Sequence, residues 1–450
     1  MTNVIPLQTA RSASTPAELF LRVGESHYGQ VASLYAEGRL PVRRAIFDSS
    51  KLKHQVDFIK TLRDDKVELT LDTKAAELAA LTRYQGNPSG APWADGTLHL
   101  PEMFDDRRCD ALAEHIAQVA VERGFDRVLS PSHFLREGLL DPWFAIDKRL
   151  CEALRKALDQ AGGTNIAIDY SLIIEERPLR DEAVRSALLH QLGTLPFENL
   201  VLRASHFGAD VEAPKLRAFI NILDRLMTGG RPVIVDHVGG LVGRALLAFG
   251  VASGIAHGLD EHLRFDGTPW SRLPKESDKE EEDGRGGAAK RISIPLLDRS
   301  LTVPELTALV NAKGGQRLVC SDRNCCRSLA DMTNHSKRHS IFQETKALAA
   351  LGSVPDLMRT QHFLEKEMAE ADRFARQIKE LKPVAADLKP RRGQSQEQAA
   401  ESLSIRLVKQ SLRNEKIRAS LENLHSVRGL AAPRVARAHL ADRVRVSGRS

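Results

Sequence analysis

The chain is poor in cysteine and has no long apolar stretch. Five cysteines in 450 residues are too few, and odd in number, for the disulfide frameworks of small secreted domains. No segment approaches the ~20 apolar residues of a membrane helix, and the opening MTNVIPLQTARSAS lacks the apolar core of a signal peptide. We therefore expect a cytoplasmic protein without a membrane partner.

The composition is that of a soluble globular protein, with 42% hydrophobic and 28% charged residues. A length of 450 residues suits one large domain or two to three ordinary ones. The net charge of +6 and pI near 9.0 are compatible with a nucleic-acid partner, tRNA or DNA. The same excess of positive charge occurs in soluble proteins that bind no nucleic acid, so the charge alone does not decide whether this protein binds one.

Apolar strand-like segments alternate with helical ones over most of the chain, which predicts a parallel sheet covered by helices. One or two strands near the N-terminus and RISIPLL (291–297) would bring the number close to the eight of a (β/α)8 TIM-like barrel. An open doubly wound sheet is the alternative. We favour the barrel because polar residues follow nearly every strand, and only a barrel gathers all of those ends in one pocket. The six clearest segments are KVELTLDT (66–73), DRVLSPSHFL (126–135), NIAIDYSLI (165–173), ENLVLRASHFG (198–208), RPVIVDHVGG (231–240) and SGIAHGLDEH (253–262).

Changes in composition suggest four regions. They are a disordered N-terminus (1–15), the β/α barrel (16–300), a Cys/His zinc segment with C-terminal helices (301–383) and a polar, basic tail (384–450) that contains one helical stretch near 396–424. A homodimer is left open.

Catalytic groups of a parallel barrel lie at the C-terminal ends of its strands. This rule selects Asp72, Asp236 and Asp260 as catalytic candidates. Asp72 closes the run VELTL, where burial and neighbouring charges tune a carboxylate. The same rule gives a set of substrate-binding candidates, namely His133, Arg203, His206, His237 and His257.

The run DHVGGLVG (236–243) places two glycines directly after a strand. Gly239 and Gly240 would let the backbone approach a planar or anionic ligand at the start of the next helix. The GxGxxG fingerprint of dinucleotide-binding proteins is absent. A tight turn between strand and helix explains the glycines equally well.

Three of the five cysteines lie within seven residues, and two histidines follow them. Thiolates and an imidazole in one short segment are the donors of a tetrahedral zinc site. Cys320, Cys325 and Cys326 would supply three ligands, with His339 or His335 as the fourth. The spacing C-x4-C-C is not a standard zinc motif, and the alternative is that these cysteines are buried apolar side chains.

A barrel followed by this cluster resembles the tRNA-guanine transglycosylases, the queuine and archaeosine enzymes, over roughly residues 66–382. The resemblance implies structural zinc held by three cysteines and His339, followed by helices that pack on the barrel. It also implies base exchange on a nucleic acid, with Asp260 as the nucleophile at the sugar C1′ and Asp72 as the base. The family motif Asp-Ser-Gly-Gly-Phe-Gln reads DTKAAE here, and the nucleophile segment reads GLDEHLRF.

Two other functions remain. The strand-end histidines would suit a metal-dependent hydrolase that activates water, although the early HxH pair of such barrels is absent. A non-catalytic barrel that binds nucleic acid or protein is the third reading.

Overall fold

The computed structural model describes residues 17–24, 28–81, 88–258, 263–272, 290–391 and 393–428. Its centre is a closed barrel of eight parallel strands, as predicted. Closure comes from β1, which pairs with both β2 and β10. The barrel strands are β1 (Glu18–Val23), β2 (Arg44–Asp48), β3 (Glu68–Asp72), β4 (Arg127–Leu129), β6 (Ala167–Glu175), β7 (Asn199–Ser205), β9 (Val233–Asp236) and β10 (Gly254–His257).

The helices cover the outside of this barrel. Helix α4 (Asp106–Arg123) begins where the Asp105 side chain accepts a hydrogen bond from the Arg108 backbone, and it ends at Gly124 with φ of 68°. The helices between barrel strands are α1 (Tyr28–Ala36), α2 (Val56–Asp64), α3 (Ala75–Leu78), α4 (Asp106–Arg123), α5 (Pro142–Gln160), α6 (Glu182–Leu192), α7 (Ala213–Leu226) and α8 (Gly240–Ala248).

Alternation along the strands sorts side chains between the two faces of the barrel wall. Outward residues such as Phe47, Leu69 and Leu202 join the main core against the helices. Inward residues form layers, of which the middle one is apolar and contains Phe20, Ile46, Leu129, Val201, Ile234 and Ala256. Charged side chains lie above and below it, so the barrel interior is a packed stack with a polar layer at each end.

The segment RISIPLL forms a strand, but outside the barrel. Strand β12 (Arg291–Ile294) pairs antiparallel with β13 (Arg299–Thr302). The eight positions of the closed barrel are already filled, because β1 and β2 both join it. The remaining short strands are β5 (Phe134–Leu135), which pairs with β6, and the antiparallel pair β8 (Phe207–Gly208) and β11 (Arg264–Phe265).

A second apolar core joins the hairpin of β12 and β13, the cysteine segment and the C-terminal helices. The region predicted as a tail contains the C-terminal helix Gln396–Arg428, which packs on α7 and on Ala369–Ile378 through Leu403, Leu407 and Leu421. None of the described helices is long and apolar enough to span a bilayer. The other helical segments here are Val303–Val310, Leu329–Asn334, Ser336–Ser353, Asp356–His362, the π-helical Phe363–Met368 and Ala369–Ile378.

Candidate active site at the barrel mouth

Charged side chains from five strand ends and one following helix meet at the C-terminal mouth of the barrel. We call this group the upper network; its members are Arg22, Asp48, Asp72, Lys74, Glu77, Arg203 and Asp236. The TIM-barrel rule therefore correctly predicted that Asp72, Arg203 and Asp236 converge.

Arg22, near the end of β1, lies at the centre of the upper network. Its Nε and Nη2 donate to the two carboxylate oxygens of Asp236 at 2.7 Å each, which is the bidentate geometry of a strong charge-assisted pair. Its Nη1 donates to Asp72 Oδ2 at 2.7 Å and lies 3.6 Å from Asp48 Oδ1. One guanidinium thus bridges the ends of β2, β3 and β9.

Arg203 of β7 provides a second cationic centre. Its Nε donates to Asp236 Oδ2 at 2.9 Å, and its Nη1 donates to Glu77 Oε1 at 3.4 Å. Its Nη2 lies 3.5 Å from Asp72 Oδ2. The Lys74 ammonium completes the upper network, 2.7 Å from Glu77 Oε1 and 3.7 Å from Asp48 Oδ2.

These contacts keep the carboxylates ionised. Burial alone would raise the pKa of Asp72, but Arg22, Lys74 and Arg203 outweigh it and hold that pKa well below its usual range. Burial would also raise the pKa of Asp236. Arg22, His237 and Arg203 outweigh this effect and hold that pKa well below its ordinary value. A carboxylate of such low basicity is a poor general base, so the role implied for Asp72 by the family resemblance does not suit its surroundings.

Three residues that follow the upper strand ends adopt the left-handed backbone region that non-glycine residues rarely occupy. They are Lys74 with φ of 54°, His206 with 61° and His237 with 60°. Conformations of this kind persist only where neighbouring contacts enforce them, and they concentrate at functional sites.

His237 lies against the upper network, whereas His206 contacts a neighbouring loop. The Nδ1 atom of His237 is 3.3 Å from Asp236 Oδ2, and the ring is nearly buried. The Nε2 atom of His206 lies 3.0 Å from Thr268 Oγ1, and this side chain is 39% exposed. His237 is thus the imidazole that the fold places beside the carboxylates.

His257 is buried at the end of β10, with Nε2 3.8 Å from Glu344 of helix Ser336–Ser353. Gly239 and Gly240 lack a Cβ at positions where neighbouring side chains of this protein come close to the backbone. A Cβ on Gly239 would lie 2.6 Å from Leu263 Cδ2, and one on Gly240, whose φ is +61°, would lie 2.5 Å from Asp298 Oδ1. These clashes explain both glycines without a ligand.

His133 contacts a different set of groups. Its Nδ1 lies 2.7 Å from Asp147 Oδ1 of α5, and its ring stacks on Trp143 with centroids 3.6 Å apart. This arrangement fixes the turn after β4 to the helix. Asp260 lies outside the described residues.

Sequence reasoning missed Arg22, Asp48, Lys74 and Glu77. For Arg22 and Asp48 a signal was present in ELFLR and RAIFD, where charged residues stand at both ends of a short apolar strand. Lys74 and Glu77 lie beyond the strand, and nothing in their sequence neighbourhood indicates that they turn back towards it.

The predicted metal ligands do converge. The ligand atoms of Cys320, Cys325, Cys326 and His339 all lie within 4.8 Å of one another. Cys325 Sγ and Cys326 Sγ are 3.3 and 3.4 Å from His339 Nδ1. All five thiols are free, and the two adjacent sulfurs are 3.5 Å apart, far beyond a disulfide bond of about 2.05 Å.

The strand-end histidines do not form a second group of this kind. Within the described ranges, no other set of three or more His, Cys, Asp or Glu side chains brings its ligand atoms together as this one does. The described residues therefore offer no catalytic metal centre for a hydrolase at the barrel mouth.

Comparisons with known proteins add little beyond architecture. No family model matches the sequence, and no curated protein matches it. Solved structures similar in part include xylanase 10B from Thermotoga maritima (11% identity, 54% of this chain and 83% of that one, TM-score 0.33). Others are the endo-1,4-beta-xylanase XylE of Penicillium canescens (10%, 54% and 82%, 0.33) and a GH3-family glycosyl hydrolase from Mycobacterium smegmatis (11%, 60% and 90%, 0.33). Likeness at this level has no bearing on substrate or reaction.

Proposed function

We propose that the barrel mouth catalyses glycosyl transfer with base exchange on a nucleic acid. The observation that carries the proposal is the hydrogen bond of 2.7 Å from Arg22 to the Asp72 carboxylate at the C-terminal mouth. A carboxylate that neighbouring cations keep ionised suits attack on a sugar C1′ and stabilisation of the positive charge that develops there. The net charge of +6 is compatible with a polyanionic substrate.

The roles follow from the charge state of each group. An Asp72 oxygen forms a bond to C1′ while the glycosidic C–N bond breaks, and protonated His237 gives its proton to the departing base. In the second half, the incoming base returns a proton to His237 and displaces Asp72 from C1′. An imidazole suits such transfer near neutral pH, and the His237 Nδ1 atom lies 3.3 Å from Asp236 Oδ2. Arg22 and Arg203 are positioning residues.

Base exchange is measurable without knowing the natural base. The protein is incubated with bulk tRNA or duplex DNA and radiolabelled guanine, and both label incorporation and covalent adducts on denaturing gels are followed. Asp72→Asn is expected to abolish both. Asp57→Asn, at an exposed site on α2, is the matched control and should change neither. An adduct of full yield in Asp72→Asn would refute the role of Asp72.

The saturation of Asp236 favours one competing function, a barrel that binds without catalysis. Asp236 accepts two hydrogen bonds from Arg22, one from Arg203 and one from the His237 backbone N–H. Retained nucleic-acid binding, with no exchange for any of the nucleobases tested, would favour this alternative.

We also propose that the Cys3His group holds one structural zinc ion. Ligand atoms around tetrahedral zinc lie roughly 3.5–3.8 Å apart, given bonds of about 2.3 Å to sulfur and 2.0–2.1 Å to nitrogen. The observed S–N separations of 3.3 and 3.4 Å fit a slightly contracted version of this set. His339 Nε2 lies 3.1 Å from the Ser293 carbonyl oxygen, which orients the ring as a zinc ligand requires.

Four protein ligands leave no open position, so this zinc would stabilise rather than react. It would fasten the start of helix Ser336–Ser353, through His339, to the cysteine segment 320–326. Elemental analysis of the purified protein is expected to give one zinc per chain, lost in Cys325→Ser and in His339→Ala. His335→Ala should retain it, because His335 is largely exposed and faces Asp331 at 3.9 Å. Loss of zinc in His335→Ala but not in His339→Ala would show that His335 is the fourth ligand instead of His339.

A further inference from the structure

A cavity of about 510 Å³ lies between the barrel mouth, the hairpin of β12 and β13, and the C-terminal helix. Barrel residues Ala209, Gly240 and His257 form one wall, and Ser293 and Ser300 of the hairpin form another. Its size is that of a small-molecule site. It lies at the loops after β9 and β10, which are strands seven and eight of the barrel, where TIM barrels frequently bind phosphate.

The cations that line this cavity fall into two groups. Arg244, Arg264 and Arg413 are each paired with a carboxylate, on Glu344 at 2.8 Å, Asp210 at 2.5 Å and Asp298 at 2.9 Å. These three pairs build the walls and account for three of the four lining carboxylates.

Arg291, Arg299 and Lys409 form the second group, and none of them has a carboxylate within ion-pair distance among the described residues. Glu212 is the remaining lining carboxylate, and it is exposed. The unpaired charge of the cavity is therefore +3 against −1. Three cations that face a single exposed carboxylate repel one another, and an anion would relieve that repulsion.

The surroundings of Arg299 show this repulsion. Burial first, and then the neighbouring guanidinium groups of Arg406, Arg291 and Arg413, lower the pKa of Arg299 and outweigh the opposing charge of Glu305. Arg406 Nη2 forms an ion pair with Glu305 Oε1 at 2.5 Å, so Arg406 adds positive potential without being available to a ligand.

We infer that this cavity binds the phosphate group of a nucleotide-sized ligand through Arg291, Arg299 and Lys409. The hydroxyls of Ser293 and Ser300 lie on the same hairpin and supply neutral donors. Two sources share this chemistry, a free nucleotide and a phosphate of a nucleic-acid strand. The inference rests on the cavity alone and does not require the base exchange proposed above.

The test uses the full chain and calorimetric titration with adenosine 5′-monophosphate, adenosine, inorganic phosphate and a ten-nucleotide single strand. Arg291→Gln/Arg299→Gln is expected to weaken binding of the phosphate-bearing probes at least tenfold and to reduce the salt dependence. Adenosine should bind neither protein. The tightest phosphate-bearing probe identifies the source.

Lys313→Gln/Arg323→Gln is the matched control, because it removes the same charge from exposed positions that do not line the cavity. It should leave every dissociation constant within twofold. Equal losses in both double variants, or binding of no phosphate-bearing probe, would overturn the proposal. Asp72→Asn should still bind phosphate, so failure of base exchange and failure of this site are distinguishable.

Discussion

The two ends of the barrel interior both contain ion networks, yet they differ in construction. The lower network, at the strand starts, joins Arg44 to Glu18 and Glu68, and Arg127 to Glu68 and Asp169. Both networks combine short contacts with separations of 3.4 to 3.8 Å. The upper network has four contacts between side chains at 2.7 Å, and residues with left-handed backbone follow three of its strands.

This difference has a physical reason. Charges at the lower end come from the strands themselves, which the sheet hydrogen bonds fix, and such groups serve closure and stability. Lys74, Glu77 and His237 of the upper end come from segments after the strands, whose backbone the sheet does not dictate. We therefore expect both ends to matter for stability and only the upper end to matter for activity.

The largest effect should come from removing the central cation at each end. Arg22→Met and Arg127→Met each leave buried carboxylates without their partner, at a cost of about 3–5 kcal/mol in the free energy of unfolding. Urea denaturation measures that cost. Base exchange by the folded fraction should vanish in Arg22→Met and persist in Arg127→Met. The reverse result would show that the lower end, and not the upper end, is needed for activity.

Mild acid should weaken the upper end through His99, in the loop after β3. Burial, then His133 and Arg108, lower the pKa of His99 to about 4 from 6.5. The unfolded chain takes up this proton first, so stability is full above about pH 6.5 and falls by about 3 kcal/mol as the pH drops towards 4. His99→Phe should reduce the loss of stability between about pH 6.5 and pH 4. An unchanged curve would show that the pKa of His99 does not differ between the folded and unfolded chain.

Asp72→Asn tests a single carboxylate of the upper network and should cost roughly 1.5–3 kcal/mol, since it weakens a hydrogen bond to a charged donor. Because the pKa of Asp72 is lowered, its contribution is present above the unfolded value near pH 4 and is lost as the pH falls below it. The variant should therefore match the wild type in strong acid and differ at neutral pH. A constant difference at every pH would contradict this linkage.

The smallest effect is expected from replacing two lysines that have similar backbone strain and lie at opposite ends of the barrel. Lys66 precedes β3 with φ of 63°, is exposed and has no ion pair among the described residues, so Lys66→Gly should stabilise by about 0.5–1 kcal/mol. Lys74, with φ of 54°, pairs with Glu77, so Lys74→Gly should destabilise instead. Thermal unfolding measures both signs, and the same sign for both would show that strain dominates at each end.

Much of the architecture was predictable. The structure contains the six clearest strand segments and brings Cys320, Cys325, Cys326 and His339 together. These features depend on local periodicity or on ligands within twenty residues. The hairpin position of RISIPLL was missed because strand propensity does not say which partner a strand finds.

The sequence by itself determined the repeat of strand and helix, the polar strand ends and the Cys/His cluster, because each is written in residues close together in the chain. Only the tertiary structure decided that Arg22 binds Asp236, 214 residues away, that Lys74 and Glu77 join the mouth, and that hairpin and C-terminal helix enclose a cationic cavity. Register and closure of the barrel set those distances, and they arise from the packing of all eight strands together.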